Sequence, residues 1–270
     1  MQALTAAHRQ QFLDQGYLYV ADVVPRADCE RVIAAICEFT GADADDERTW
    51  SDYPGHGIVP LHHHQALWDV RQLPQMHELF ALLLGTEKLW VTLDRVSFKA
   101  PAHARTTPFR MDAVHWDGDP RGSELGIQGL VYLTDNPPEQ GAFGMVPALY
   151  QQLDTWLATE RSATQLRRPD VSAYPLVPLG GAQGSMVLWH RRMPHTSLAN
   201  NTTRPRYVQY VAMSPAGDDA ARTQFAAFTR ERRPPAWAVR QHVPGQLDPE
   251  PGPSLNLSGL GRKLSGLEPW

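Results

Sequence analysis

Along the first third of the chain, apolar residues recur every three or four positions. Beyond Gly85 they fall into short runs of β-branched and aromatic residues. Ala6–Gln15 reads as a short helix that Gly16 ends, and Tyr17–Val20 as a strand. Pro25 precedes a second helix with Cys29, Val32, Ile33, Ile36 and Cys37 on a helical period, and Gly41 stops it. Residues 42–66 are polar, acidic and turn-rich, with His56, His62, His63 and His64 among them. A third helix starts at Leu73-Pro74, where proline suits the first turn. Met76, Leu79, Phe80 and Leu83 form its apolar face, and Gly85 ends it.

The later runs predict strands at Leu89–Leu93, Arg95–Lys99, Gly126–Thr134, Phe143–Val146, Ser185–Trp189 and Tyr207–Met213, mostly separated by Pro, Gly and Asn. Leu149–Thr159 and Ala220–Phe228 read as helices between or after them. Many short strands preceded by helices predict an all-β core with an α flank. The expected form is a double-stranded β-helix, a cupin-like jelly roll with N-terminal helices. We expect one domain over 1–270: a helical flank to about 88, a jelly-roll core over about 89–215, and a C-terminal helix and tail over about 216–270. The end of the chain is rich in Pro and Gly, yet Leu255, Leu257, Leu260, Leu264, Leu267 and Trp270 are too apolar for a solvated tail. It is expected to pack back on the sandwich.

Composition narrows the function classes. Of the 270 residues, 42% are hydrophobic, enough for one sizeable core. A net charge of -4 and the lack of a basic stripe, Arg230–Arg233 being too short and mixed, argue against nucleic acid. No apolar run approaches the roughly 18 residues of a membrane span, and Met1–Thr5 lacks signal-peptide character. Cys29 and Cys37, eight positions apart, would lie about 12 Å apart on one helix, too far for a disulfide. They read as reduced thiols of a cytoplasmic protein, a monomer or small homo-oligomer.

Candidate chemistry centres on Ala113-Val114-His115-Trp116-Asp117-Gly118-Asp119. Along a strand, residues two apart face the same side, so His115 and Asp117 can offer a nitrogen and an oxygen to one ion. A third ligand must come from elsewhere. His195, just beyond the strand Ser185–Trp189, is the candidate, with His190 its rival. Facing sheets bring such distant residues together. Two histidines and one carboxylate occupy one face of an octahedron and leave three positions open, as in Fe(II) oxygenases. The same donors also suit zinc. Ser197 follows His195 by two residues, and Arg204 and Arg206 by nine and eleven. A hydroxyl and a planar guanidinium there suit a carboxylate beside the metal. Pro205 biases Arg204 towards the strand's entry, whereas Arg206 opens the regular run whose alternate residues face inward.

With these residues in place, the chain resembles the phytanoyl-CoA dioxygenase family of 2-oxoglutarate oxygenases. The resemblance spans the Gly16-Tyr17 turn, Asp94–Pro101, His115-Trp116-Asp117, Leu133–Asn136, Gly141–Pro147, Gly184–His190 with His195, and Gly259–Leu264. Where the family often has Pro-Gly-Ser-His, this chain has Pro147-Ala148-Leu149-Tyr150. The resemblance implies Fe(II) held by His115, Asp117 and His195, with 2-oxoglutarate and O2 as co-substrates and succinate and CO2 released. It implies that Ser197 and Arg206 bind the far carboxylate of 2-oxoglutarate, that Lys99 lies near it, and that Gln128 is on a strand lining the pocket. Since Asp117 keeps the acid that halogenating relatives replace with a small residue, it implies hydroxylation, desaturation or ring formation rather than halogenation.

The expected substrate is a small metabolite of a biosynthetic or catabolic pathway; no basic cluster suggests coenzyme A. Residues 42–66 and the loop Ala100–Ala113 are expected at the pocket mouth, with His62, His63, His64, Trp68, Arg71 and Arg95 as substrate contacts. Two other classes fit part of the pattern. A zinc hydrolase would use the same triad with a metal-bound water and no O2. A non-catalytic small-molecule-binding β-sandwich would release no succinate.

Overall fold

The structure is a computed structural model describing residues 4–50, 57–104, 113–122, 124–159, 161–240 and 254–270. His56, Asp112 and the middle of the Ala100–Ala113 loop lie outside the described residues.

The strands are β1 (Tyr17–Val20), β2 (Ile58–Val59), β3 (Leu89–Thr92), β4 (Val96–Lys99), β5 (Ile127–Tyr132) and β6 (Phe143–Met145). They continue with β7 (Val177–Leu179), β8 (Met186–His190), β9 (His195–Ser197), β10 (Arg206–Tyr210) and β11 (Ala212–Pro215). The helices are α1 (Ala6–Gln15), α2 (Arg26–Thr40), α3 (Gln65–Arg71), α4 (Pro74–Leu84), α5 (Pro147–Gln151), α6 (Leu153–Leu157), α7 (Ala163–Arg167), α8 (Asp219–Arg230), α9 (Ala236–Arg240) and α10 (Gly259–Leu264). Short 3-10 turns occupy Glu47–Thr49 and Ala102–Ala104.

Every strand pairing is antiparallel. A six-stranded sheet runs β1-β8-β5-β10-β4-β2, a three-stranded sheet β7-β6-β9, and a two-stranded sheet β11-β3. Side-chain alternation splits the large sheet into two faces. Val131, Met186, Leu188 and Tyr207 join the main core with the buried residues of α2, α3 and α4. Leu130, Tyr132, Val187, Trp189 and Val208 pack instead against Phe143 and Met145 of β6. The small sheet therefore covers the inner face of the large one.

Helices α1, α2 and α4 stop at Gly16, Gly41 and Gly85, all in left-handed geometry. At Gly16 (φ 78°) the conformation is enforced by space as well: a Cβ there would lie 2.6 Å from the Tyr150 ring. Several expectations need correction. The stretch read as turns up to residue 66 contains β2 and leads into α3, an unforeseen helix built on buried Ala66, Leu67, Trp68 and Val70. The run Tyr207–Met213 is two strands in two sheets, divided at Val211. The helix expected at Leu149–Thr159 is the pair α5 and α6. Strands β7 and β9 were not anticipated.

Cys29 and Cys37 are free thiols on α2, and burial pushes the Cys29 thiol up to about 12. At the C-terminal end Leu264 is fully buried, and Leu255, Leu257, Leu260 and Trp270 pack against the main core. The Trp270 indole donates to the Leu89 carbonyl (2.9 Å) and stacks on His77. Among the described residues, no helix is long and apolar enough to cross a membrane.

Candidate metal centre and carboxylate clamp

The segment carrying His115 is anchored from behind. Val114 and Trp116 pack with Val146, Leu149 and Leu153, and the Trp116 indole donates to the Arg192 carbonyl (2.9 Å). With these two residues facing away, His115 and Asp117 face the other side. The backbone is not a strand, as the sequence suggested. It makes one antiparallel bridge to His195, with both N–H···O distances 3.0 Å. His195 is the first residue of β9, opposite Met145.

The ligand atoms of His115, Asp117 and His195 lie within 4.8 Å of one another. His195 Nε2 is 3.7 Å from Asp117 Oδ2, and the imidazole centroids are 4.6 Å apart. His115 Nδ1 lies 3.1 Å from the Ala113 carbonyl and His195 Nδ1 2.9 Å from that of Met193. A carbonyl only accepts, so Nδ1 carries the proton in both rings. That leaves each Nε2 lone pair for a metal. Burial holds the His195 pKa below the ordinary range, Asp117 opposes that shift, and His115 reinforces it. A neutral imidazole is the form a metal requires. The donor set fits an Fe(II) or Zn(II) ion.

His190 stands apart from this centre. It ends β8 on the outer face, where its ring packs near Phe12 and Tyr150 and its Nδ1 accepts from the Arg192 N–H (3.0 Å). Burial, with Arg192 and Arg191 nearby, lowers its pKa to about 4.

Two residues from His195 on the same side of β9, Ser197 meets two cations from the large sheet. Arg206 and Lys99 are paired across β10 and β4, and each is 1% exposed. Lys99 Nζ donates to Ser197 Oγ and to the Leu198 carbonyl (2.7 Å). Arg206 Nη1 donates to Ser197 Oγ (3.0 Å) and the Gly141 carbonyl (2.8 Å), and Nη2 to Tyr210 Oη (3.4 Å). Having accepted from both cations, the Ser197 hydroxyl keeps its own proton to donate. Gly141 (φ 69°) is needed here, because a Cβ would stand 2.9 Å from Lys99 Cδ.

Arg206 Nε is buried with no hydrogen-bond partner. Among the described residues, no carboxylate pairs with this guanidinium. A buried cation held only by neutral acceptors is costly, and the orphaned donor is the kind a bound carboxylate satisfies. The cluster thus suits a bound carboxylate. Arg204 is three-quarters exposed and faces Asp45 (3.6 Å). Gln128, half-buried, opposes Trp189 in the β5–β8 register on the inner face.

The expected pocket-mouth residues are placed differently. His62 is 1% exposed with Nδ1 on the Leu93 carbonyl (2.8 Å), and burial lowers its pKa to about 3. His63 Nε2 lies 2.9 Å from the Arg233 carbonyl, and burial lowers its pKa to about 4. His64 caps α3, its Nδ1 accepting from the Ala66 N–H (3.2 Å). Trp68 and Arg71 are fully buried. The Arg71 guanidinium donates to the carbonyls of His62 (2.7 Å) and Asp94 (2.6 Å). His62, His63, His64 and Arg71 thus satisfy backbone groups, and the Trp68 indole donates to His63 Nδ1 (3.5 Å). Arg95 differs. It is half-buried, lies over the Trp237 ring (4.7 Å) and adjoins Asp94 (3.6 Å). Burial raises the Asp94 pKa; Arg95 and Arg71 oppose the shift, and Asp117 adds to it.

Sequence reasoning missed Trp189, whose indole Nε1 donates to Asp117 Oδ2 (3.0 Å), and Tyr210, which touches Arg206. The available signal was strand alternation: Trp189 shares a parity with Val187, and Tyr210 with Arg206.

The phytanoyl-CoA dioxygenase family model matches residues 12–208. The chain belongs to the phytanoyl-CoA dioxygenase family. The match takes in His115, Asp117, His195, Lys99, Ser197 and Arg206. A Dictyostelium discoideum protein carrying the family's name is 21% identical, over 74% of this chain and 72% of its own. Among solved structures, the epimerase SnoN in complex with Fe3+, alpha-ketoglutarate and nogalamycin RO is 16% identical. It has a TM-score of 0.59 and covers 94% of this chain and 95% of its own. The carbocyclase SnoK of nogalamycin biosynthesis is 18% identical, with a TM-score of 0.55, over 83% of this chain and 92% of its own. At these identities the likeness is one of fold.

Proposed function

We propose that this protein is an Fe(II)- and 2-oxoglutarate-dependent dioxygenase that oxidises a small-molecule metabolite. In this reading it is a single domain whose two facing sheets form a double-stranded β-helix. The observation carrying the proposal is the buried Arg206 Nε without a partner, on a clamp built into the wall that holds the triad. His195 and Ser197 are two strand residues apart, about 6.8 Å along the chain. That is close to the span of an extended five-carbon dicarboxylate. A molecule with one end on the metal would thus reach the clamp with the other.

Iron with bound 2-oxoglutarate and O2 supplies the oxidising power, with release of succinate and CO2. The chain supplies geometry. His115, Asp117 and His195 would hold the metal through two imidazole nitrogens and a carboxylate oxygen. Arg206 and the Ser197 proton grip the distal carboxylate, and Lys99 adds a second positive charge. Gln128 lines the inner wall. Asp117 fills the third protein position, which disfavours halide entry and favours hydroxylation, desaturation or ring formation. SnoN and SnoK, an epimerase and a carbocyclase, add stereocentre and ring chemistry to the reactions worth screening. Arg95, half-buried against Trp237, is kept as a candidate substrate contact.

The test is succinate formation with Fe(II) and 2-oxoglutarate, with and without O2, followed by a metabolite screen for stimulated turnover. The proposal expects O2-dependent succinate that a true substrate increases. Turnover of a substrate without O2 would instead favour the zinc hydrolase, and no succinate under any condition the binding module.

A further inference from the structure

Asp117 is a ligand with little to hold it. It sits at a bend beside Gly118, outside any ladder; the one backbone bridge of its segment is two residues away at His115. The terminal torsion of an aspartate is broad and nearly two-fold, so the carboxylate plane is set by its partners. Among the described residues, the hydrogen-bond donor to that carboxylate is the indole of Trp189, at 3.0 Å.

Trp189 itself is fixed from several directions. It is 4% exposed on β8, an interior strand of the large sheet. Tyr17 and Gln128 face it in register on the two neighbouring strands. Phe143, from the opposite sheet, packs on it with centroids 4.4 Å apart. The His195 ring lies 5.3 Å away, tilted by 53°. One rigid ring thus touches two of the three ligands. An indole N–H can only donate, so at this buried position it is matched to an anionic acceptor.

We propose that Trp189 is a positioning residue: its indole N–H fixes the orientation of the Asp117 carboxylate and thereby sets the metal affinity of the centre. This inference rests on the metal-binding reading above. Partners behind a ligand usually change metal affinity by about 10- to 100-fold when removed, and a change of that size is expected here.

The test separates the N–H from the bulk of the ring. Trp189→Phe removes the donor but also shrinks the side chain. Benzothienylalanine incorporated at position 189 keeps the bicyclic shape and lacks only the N–H. Co(II) titrations of the metal-free protein, followed by visible absorption, report affinity and ligand field without turnover. Both variants should bind Co(II) about 10- to 100-fold more weakly and shift its bands. The isostere should keep the melting temperature of the metal-free wild type. An isostere that binds Co(II) within about twofold of wild type would overturn the inference, even if Trp189→Phe were impaired, since bulk would then be the cause. If wild type binds no Co(II), or binds it equally well after His195→Ala, the metal reading fails and the inference falls with it.

Discussion

Replacing Arg206 with glutamine tests the clamp most directly. The guanidinium is buried and held by the Gly141 carbonyl, Ser197 Oγ and Tyr210 Oη, with Nε unpartnered. A glutamine amide can still donate to the Gly141 carbonyl, so the fold should survive, but it cannot neutralise a carboxylate. Removing one member of a buried charge pair costs roughly 3–5 kcal/mol. At about 1.4 kcal/mol per tenfold, that is two to three and a half orders of magnitude in 2-oxoglutarate affinity. Lys99 and Ser197 remain, so the low end, about a hundredfold, is the expected result. Arg204→Gln is the control. Its side chain is three-quarters exposed and faces Asp45 across 3.6 Å, a surface pair worth at most about 1 kcal/mol to stability. The assay is an anaerobic titration of the Fe(II)-loaded protein with 2-oxoglutarate, followed optically or by calorimetry. Arg206→Gln should bind Fe(II) as wild type does and lose the co-substrate; Arg204→Gln should retain both. The reverse ranking, or loss of iron in Arg206→Gln, would refute the assignment.

His115→Ala, Asp117→Ala and His195→Ala should each abolish stoichiometric Fe(II) binding by metal analysis, whereas His190→Ala, on the outer face, should keep it. Stability should fall in mild acid. The folded pKa values of His62 and His63 are depressed to about 3 and about 4, so below pH 6.5 the unfolded chain takes up protons that the folded one refuses. Each site should then contribute a loss of up to about 1.4 kcal/mol per pH unit down to its folded value. His62→Asn, which retains a donor for the Leu93 carbonyl, should flatten the melting-temperature profile between pH 6.5 and 4; an unchanged slope would show that His62 titrates normally. Deleting residues 255–270 removes Leu264 and the Trp270–Leu89 hydrogen bond; it should lower the melting temperature by about 5 °C or more, and an unchanged melt would show that the tail is dispensable. With chloride present, the true substrate should yield no chlorinated product by mass spectrometry.

Much of the fold was legible because local rules and tertiary packing agreed. The helices ending at Gly16, Gly41 and Gly85 combine a 3.6-residue apolar period with a left-handed stop, and nothing in the packing contradicts either signal. Where the reading failed, tertiary contacts set the structure. Helix α3 has the sequence Gln-Ala-Leu-Trp-Asp-Val-Arg, and its arginine looks like a surface residue. In the fold Arg71 is buried because two carbonyls, of His62 and Asp94, receive its donors. No local pattern reveals partners nine and twenty-three residues away. Strands β7 and β9 have three residues each, too few for a period to register. They exist because β6 lies between them.

The site divides along the same line. Residue types and spacing suffice to nominate His115, Asp117, Ser197 and Arg206, since the chemistry sought demands a nitrogen, a carboxylate, a hydroxyl and a guanidinium at alternating positions. They do not suffice for the groups that orient these residues, which are drawn from whatever the facing sheet presents. Trp189 reads in sequence as one more apolar strand residue, and only its placement opposite Asp117 makes its N–H consequential. The choice between His190 and His195 shows the difference most plainly. Both are histidines near the end of β8, and spacing alone leaves them level. Strand parity separates them. His190 follows inward-facing Trp189 and must point out, towards Phe12 and Tyr150. The turn after it lets the chain re-enter as β9 with His195 facing the triad and Ser197 facing the clamp. The four residues between the two histidines therefore decide which can reach a metal, and they do so through the direction of a strand rather than through any motif.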